Sequence, residues 1–322
     1  MSFQPKQSEH LIPLPLVDTS EERICLPLVL NVLIRYWGEN VPLDEAAEIS
    51  KRYSGIKGTI MIEGIELAER HGFVSYLYRG SLKDLKRRID QGIPPIAILP
   101  GIHDVVQHAT IVSGYDSEER RILTYVPQQD ALGAIPESRF EQDWSQDDMI
   151  TVLLVPKDMR DLVHADELVF SQSNRLCFEA EKLRLQGLID EAADKLKKAT
   201  SIDSENSQAW CLLAGMYNEL GLEEATKCYE QAVKVNPKCY LAYRGLGNYY
   251  LKRKDYSMAE AYYTKAIDLN PQRYGPIYKN RAVARLEIGD RSGAVEDLTR
   301  YLEQVPAAPD RKNVEDAIAE LK

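Results

Sequence analysis

The pattern of apolar and polar positions divides the chain into two parts with different periodicities. Before about residue 156, short apolar runs of strand length alternate with helical segments, and after about residue 172 only helical periodicity remains. Helices are predicted over the uniformly apolar residues 24–37, over residues 61–71 and after Ser81. Runs rich in β-branched and aromatic residues predict strands over residues 73–78, 95–99, 109–115, 121–126 and 149–155. We therefore expect an α+β domain followed by an all-α domain.

The helical part repeats itself. A small residue recurs near the start of the second helix of each predicted hairpin, at separations of 33, 34 and 35 residues: Ala192, Ala225, Ala259 and Ala294. A second set of small residues marks places where two helices must approach closely: Ala180, Ala214, Gly247 and Ala282. The pattern closely resembles the tetratricopeptide repeat family over about residues 173–308. The resemblance implies a solenoid of four repeats whose groove binds a protein or peptide partner.

Three residues of this solenoid are candidate protein-binding residues. Some members of the family hold a C-terminal carboxylate with an Asn and Lys set, and Lys279 and Asn280 supply part of such a set. Leu212 and Gly245 occupy positions where another Asn would belong, so the alternative is an ordinary solvated groove face. Tyr243, which opens a hairpin, completes the predicted binding residues.

Composition and charge narrow the class of function. The chain has 322 residues and a formal net charge of −10, which argues against nucleic acid as a ligand because phosphate binding needs a basic face. No run of about 18 apolar residues predicts a membrane span. The five cysteines show no CxxC spacing and no secretory signal is evident, so we expect a cytoplasmic protein without membrane association.

A cysteine and a histidine are the candidate catalytic residues of the first part. Cys25 opens the apolar helix, where the helix dipole and free amide groups favour the thiolate. The alternative is a cysteine that only fills space, since free cysteines are often buried. His108 opens the strand that reads HATIVSGYD, so an imidazole is available to accept the thiol proton. A metal site with His103 and Asp104 lacks a third ligand, and we predict neither a metal nor a cofactor.

Residues from about 10 to 158 resemble papain-like cysteine peptidases related to the double-glycine leader peptidases of bacteriocin exporters. The resemblance rests on IPLPLV, the Cys25 and Pro27 pair, an apolar helix ending in Tyr-Trp-Gly, VPLDEAAEIS, HATIVSGY, and the late residues Phe140 and Trp144. It implies a papain-like α+β fold with Cys25 as nucleophile and His108 as base and acid.

Several positions depart from the pattern of these peptidases. Leu26 replaces the glycine that follows the cysteine, and Thr19 replaces the glutamine that donates to the oxyanion. Losing such a donor typically costs about 10²–10³ in rate, and the Thr19 hydroxyl is the candidate that would partly replace it. The aspartate that orients the histidine corresponds to Val126, so Gln128, Gln129 and Asp130 are the remaining candidates for orienting His108.

We therefore predict a papain-like domain over residues 8–158, a linker over 159–172, four repeats over 173–310 and a capping helix over 311–322. The predicted function is an intracellular thiol hydrolase, in particular a peptidase, whose repeats recruit a protein partner or substrate. The alternative is a catalytically impaired pseudo-peptidase that serves as a peptide-binding adaptor or scaffold.

Overall fold

The computed structural model describes residues 8–17, 25–39, 45, 48, 61–101, 107–126, 132–164 and 168–322. The chain divides into two units, residues 1–99 with 108–204 and residues 100–107 with 205–322. The first helical hairpin, residues 171–202, thus falls within the first unit. The predicted domain limits at residues 158 and 172 stay predictions. No helix within the described ranges is both long and apolar enough to cross a bilayer.

The first unit is built on a sheet to which seven described strands contribute. Their bounds are β1 Glu9–Leu11, β2 Phe73–Arg79, β3 Ile96–Pro100, β4 Gln107–Asp116, β5 Arg121–Tyr125, β6 Leu132–Pro136 and β7 Ile150–Pro156. The strand order is β2-β7-β3-β4-β5-β6, and β1 pairs with β4. The longest register is antiparallel, from Phe73 opposite Pro156 to Arg79 opposite Ile150. All five predicted strands are confirmed, whereas β1 and β6 were not predicted.

Helices lie against both faces of this sheet. Among the described residues of the α+β part, the helices with established bounds are α1 Cys25–Tyr36, α2 Met61–Arg70, α3 Leu82–Asp90, α4 Glu137–Trp144 and the short α5 Asp161–His164. Strand alternation separates two apolar clusters, because Ile96 and Ile98 pack with α1 and α2 while Ala97 packs with α3 and α4. Ser81 caps α3, since its hydroxyl accepts a hydrogen bond from the backbone amide of Asp84 at 3.1 Å. The predicted α+β fold is confirmed.

Hairpins of antiparallel helices make up the rest of the chain. The first hairpin consists of α6 Ser171–Leu185 and α7 Ile189–Ile202. The second unit contains α8 Ser207–Glu219, α9 Glu224–Val235, α10 Tyr240–Lys252, α11 Tyr256–Leu269, α12 Pro276–Glu287, α13 Arg291–Gln304 and the last helix α14 Arg311–Leu321. The four alanines that define the repeat period are each 0% exposed: Ala192, Ala225, Ala259 and Ala294. The predicted helical repeat array is confirmed.

Candidate functional site

The candidate nucleophile lies at the predicted place in the backbone. Cys25 is the first residue of α1, so its backbone is at the helix end where free amide groups and the dipole favour an anion. Its side chain and the oxyanion candidate Thr19 lie outside the described part of the chain. The distance from the Cys25 sulfur to His108 therefore stays a prediction.

The residue after the candidate nucleophile is part of the apolar core. Leu26 is 6% exposed and belongs to the cluster formed by α1 and α2. The close approach of these helices occurs at Gly64, where an added Cβ would lie 2.7 Å from Leu30 Cδ1 and 3.0 Å from Leu26 Cδ2. Leu26 therefore contacts the glycine of α2, and a glycine at position 64 provides the space for the leucine at position 26.

The candidate base has an accessible ring near the start of a buried strand. His108 is the second residue of β4, its side chain is exposed, and the strand is buried from Ala109 onwards. Protein around the ring still displaces enough water to lower the pKa of the His108 imidazole below its usual value. At neutral pH the neutral imidazole therefore predominates, and this form accepts a proton.

The position that would orient the imidazole carries an apolar residue. Val126 follows β5 directly and is half-buried. The alternative orienting residues Gln128 and Asp130 lie outside the described residues. Valine has no polar side-chain atom, so it cannot fix a tautomer or stabilise an imidazolium.

Tyr125 holds the chain segment that leads towards Thr19 and Cys25. Its hydroxyl accepts a hydrogen bond from the Val17 amide at 3.2 Å and donates one to the Pro15 carbonyl at 3.3 Å. Burial raises the pKa of Tyr125, so the phenol stays protonated and able to donate. Sequence reasoning missed this residue because its partners are more than a hundred residues away.

All three predicted protein-binding residues have interaction partners within the second unit. Lys279 Nζ lies 2.7 Å from Asp310 Oδ2, at the junction with the last helix. Asn280 Nδ2 donates to Asn248 Oδ1 at 3.4 Å. Tyr243 is half-buried, and the Lys265 ammonium lies 5.9 Å from its ring centre. The binding role of these residues stays a prediction.

The structure gives a physical reason for the missing asparagine at position 245. A Cβ on Gly245 would lie 2.3 Å from two ring carbons of Tyr229. Tyr229 is 4% exposed, so its ring cannot turn aside without disturbing the packing of the repeat. Glycine at this position is therefore a packing requirement of the array.

Comparison with known proteins matches two families to separate parts of the chain. Residues 4–150 match the model of the Peptidase_C39 like family, and residues 221–274 match a tetratricopeptide repeat model. A curated relative, human tetratricopeptide repeat protein 6, is 36% identical over 61 residues, which is 19% of this chain. The matched region spans 12% of the length of that relative.

Solved structures resembling each part were also found. A double glycine motif protease from an AMS/PCAT transporter, in complex with the leader peptide, shares 18% identity over 45% of this chain and 94% of that chain, with a TM-score of 0.35. A thermophilic TPR protein of Thermus thermophilus shares 20% identity over 51% and 87% of the two chains, with a TM-score of 0.40. The MamA protein shares 20% identity over 47% and 87%, with a TM-score of 0.38.

Proposed function

Because the chain joins a Peptidase_C39-like domain to tetratricopeptide repeats, we propose that it is a thiol hydrolase acting on peptide or related amide bonds. Cys25 attacks the carbonyl carbon, and His108 takes the thiol proton and returns it to the leaving amine. The repeats recruit the protein partner or substrate. The Cys25 backbone amide and Thr19 face the oxyanion, while Gln128 or Asp130 orients the imidazole.

The state of His108 is the observation that carries this proposal. A general base must be reachable and must be unprotonated at working pH. The exposed ring meets the first condition, and the lowered pKa of its imidazole meets the second. A histidine serving only to pack the sheet would be expected further along β4, where the strand is fully buried.

Val126 favours a second candidate function. Without an acidic partner for the imidazole, a catalytic thiol can lose on the order of 10⁴ in rate, by analogy with serine proteases. The Peptidase_C39-like domain would then be a pseudo-peptidase that binds a peptide segment for an adaptor or scaffold. This function keeps the partner-binding repeats but requires no reactive thiol.

Thiol labelling distinguishes the two functions. The full chain is treated with iodoacetamide at pH 6, and labelling of each cysteine is followed by mass spectrometry. Cys177 and Cys211 give little background, because burial raises the pKa of the Cys177 thiol, and a hydrogen bond that the Cys211 thiol donates to Cys239, together with burial, raises the pKa of Cys211. Burial also raises the pKa of Cys228, to about 11.

The hydrolase predicts that Cys25 is labelled much faster than the other thiols and that His108→Ala slows its labelling. His10→Ala is the matched control, because His10 is also exposed but pairs with Asp90 at 2.9 Å. Slow labelling of Cys25 in the native chain, or equal rates in the two variants, would overturn the hydrolase proposal. Partner binding that survives Cys25→Ser would then support the adaptor.

A further inference from the structure

Charged residues on two helices of the first unit are spaced so that each set shares one helix face. On α2, Glu63, Glu66 and Glu69 recur at every third residue. On α6, Arg175 and Lys182 are seven residues apart, which is close to two full turns. The first helix of the first hairpin thus presents two cations to a row of three carboxylates.

Lys182 provides the cation for a carboxylate in the protein interior. Its Nζ lies 3.1 Å from Glu63 Oε1 and 2.6 Å from Glu66 Oε2, and the Glu63 side chain is 1% exposed. Burial by itself would lower the pKa of Lys182, but the two carboxylates more than offset this and raise it. Removing the ammonium would leave Glu63 without this charge in a medium that solvates it poorly.

Arg175 fastens the other end of α2 with two parallel hydrogen bonds. Its Nη1 and Nη2 lie 2.7 Å and 3.1 Å from the two carboxylate oxygens of Glu69. Ser75 of β2 donates to the same carboxylate at 2.5 Å. Burial would raise the pKa of Glu69, yet the hydrogen bonds from Arg175 and Ser75 lower it overall. Arg175 also pairs at 3.3 Å with Glu179, which binds Lys195 of α7 at 2.5 Å.

An apolar side chain lies between the two cations on α6. Phe178 is 6% exposed and belongs to the same cluster as Leu26 and Leu30 of α1. The hairpin therefore contributes to the core of the Peptidase_C39-like domain. Ionic contacts join α6 to α2, and Phe178 joins α6 to the apolar cluster of α1 and α2.

The contact between α2 and α1 connects this arrangement to the candidate nucleophile. Gly64 follows Glu63 in sequence and lies directly against Leu26 and Leu30, as the short distances from its added Cβ show. Any movement of α2 would therefore displace α1, which begins at Cys25.

We propose that Lys182 and Arg175 of the first hairpin are positioning residues that fix α2 and, through it, the helix that carries Cys25. The consequence for thiol chemistry rests on the proposed hydrolase function. The first hairpin is then a part of the hydrolase domain.

The test compares full-length variants by hydrogen exchange and by Cys25 labelling. Lys182→Met removes the charge but keeps an apolar side chain of similar length. The matched control is Lys197→Met on α7, where the 55% exposed side chain pairs only at 3.3 Å with Asp194. Lys182→Arg, which retains the charge, should give the same hydrogen exchange and the same Cys25 labelling as the wild type.

We expect amides of α1 and α2 to exchange at least about tenfold faster in Lys182→Met and to be unchanged in Lys197→Met. The labelling rate of Cys25 should fall and its pH profile should shift in the same variant. Unchanged exchange in α1 and α2 would overturn the positioning role, whatever the labelling shows.

The two proposals fail separately. If Cys25 of the wild-type chain is unreactive, the hydrolase function is wrong, but the exchange comparison still decides the positioning role. If Lys182→Met does not fold, Arg175→Lys takes its place, because it keeps the charge and loses the two parallel hydrogen bonds to Glu69. Exchange in α1 and α2 identical to wild type in that variant would likewise overturn the proposal.

Discussion

Adding one methyl group at Gly247 should destabilise the repeat array. Gly247 lies on α10, and a Cβ there would lie 2.5 Å from two ring carbons of Tyr263 on α11. The Tyr263 side chain is 0% exposed, and its hydroxyl donates to Asn248 Oδ1 at 2.7 Å. The ring therefore has no free space to enter and cannot turn without straining this hydrogen bond.

The expected loss follows from three contributions. Ordinary carbon contacts lie at about 3.5–4.0 Å, so the ring or the helix must move by about 1 Å, and such overpacking costs about 1–3 kcal/mol. Losing the hydrogen bond of Tyr263 adds about 1 kcal/mol. Replacing a mid-helix glycine by alanine returns about 0.5–1 kcal/mol. Gly247→Ala should therefore lower the free energy of unfolding by about 1–3 kcal/mol.

Gly215 on α8 offers a matched control. The nearest atom to an added Cβ at Gly215 is Tyr229 Oη at 3.7 Å, an ordinary contact distance. Gly215→Ala should therefore be neutral or stabilise by up to about 1 kcal/mol through helix propensity alone. The same glycine-to-alanine change is therefore expected to lower stability at position 247 and to leave it unchanged or raise it at position 215.

Urea unfolding of the full-length variants, followed by far-UV circular dichroism, measures both effects. The midpoint should fall for Gly247→Ala and stay or rise for Gly215→Ala, with similar slopes. If Gly247→Ala is as stable as the wild type, the close helix approach at Tyr263 does not limit stability. Equal losses in both variants would show that backbone effects, and not ring contact, decide the outcome.

Two further predictions concern carboxylates of the helical hairpins, one of them only partly buried by solvent accessibility. Burial raises the pKa of Glu181 from 4.5 to about 7. The protonated side chain stabilises the folded state. This contribution is fully present below the pKa that Glu181 has in the unfolded chain, and it is lost as the pH rises through 7. Glu181→Gln should therefore raise the free energy of unfolding, measured by thermal unfolding, by about 1–2 kcal/mol more at pH 8 than at pH 5. An equal change in this free energy at the two pH values would contradict the expectation. Asp297, with a side chain 3% exposed, accepts from Arg281 at 2.7 Å and 2.9 Å and lies 3.2 Å from Arg285. Asp297→Asn should lower the free energy of unfolding in urea by about 3–5 kcal/mol, and the exposed Glu303→Gln should lower it by less than about 0.5 kcal/mol. A similar small loss in both variants would refute the role of burial.

Elements with a strong local hydrophobic pattern could be predicted from the sequence, and elements without one could not. The small residues of the repeats predicted close contacts between helices, and Gly247 makes such a contact with Tyr263. The strand β1 has only 3 residues, and β6 (LGAIP) has a single β-branched residue beside a glycine and a proline, so neither shows the β-branched and aromatic run that indicates a strand. Their positions depend on pairing with neighbours in the sheet, which the local sequence does not reveal.

The residue types of the candidate site could be predicted from the sequence, but their arrangement in space could be predicted only in part. A helix start at Cys25 and a strand containing His108 follow from local patterns, and both are confirmed in the backbone. The role of Tyr125 was not predictable, because its hydroxyl joins the end of β5 to Val17, far away in the chain. The contacts of Leu26 with Gly64 in the core were not predictable either, because they depend on how α1 and α2 pack.

The sequence by itself determined that a helix-and-strand domain precedes a repeat array, because hydrophobic periodicity and helix packing act between residues close in the chain. Only the tertiary structure decided that the first hairpin packs into the first unit, through Arg175 on Glu69 and Lys182 on Glu63. These partners are separated by more than a hundred residues. Most helices of the described chain carry both acidic and basic residues, so the pairing of α2 with α6 is fixed by how these helices pack and not by any pattern within either one.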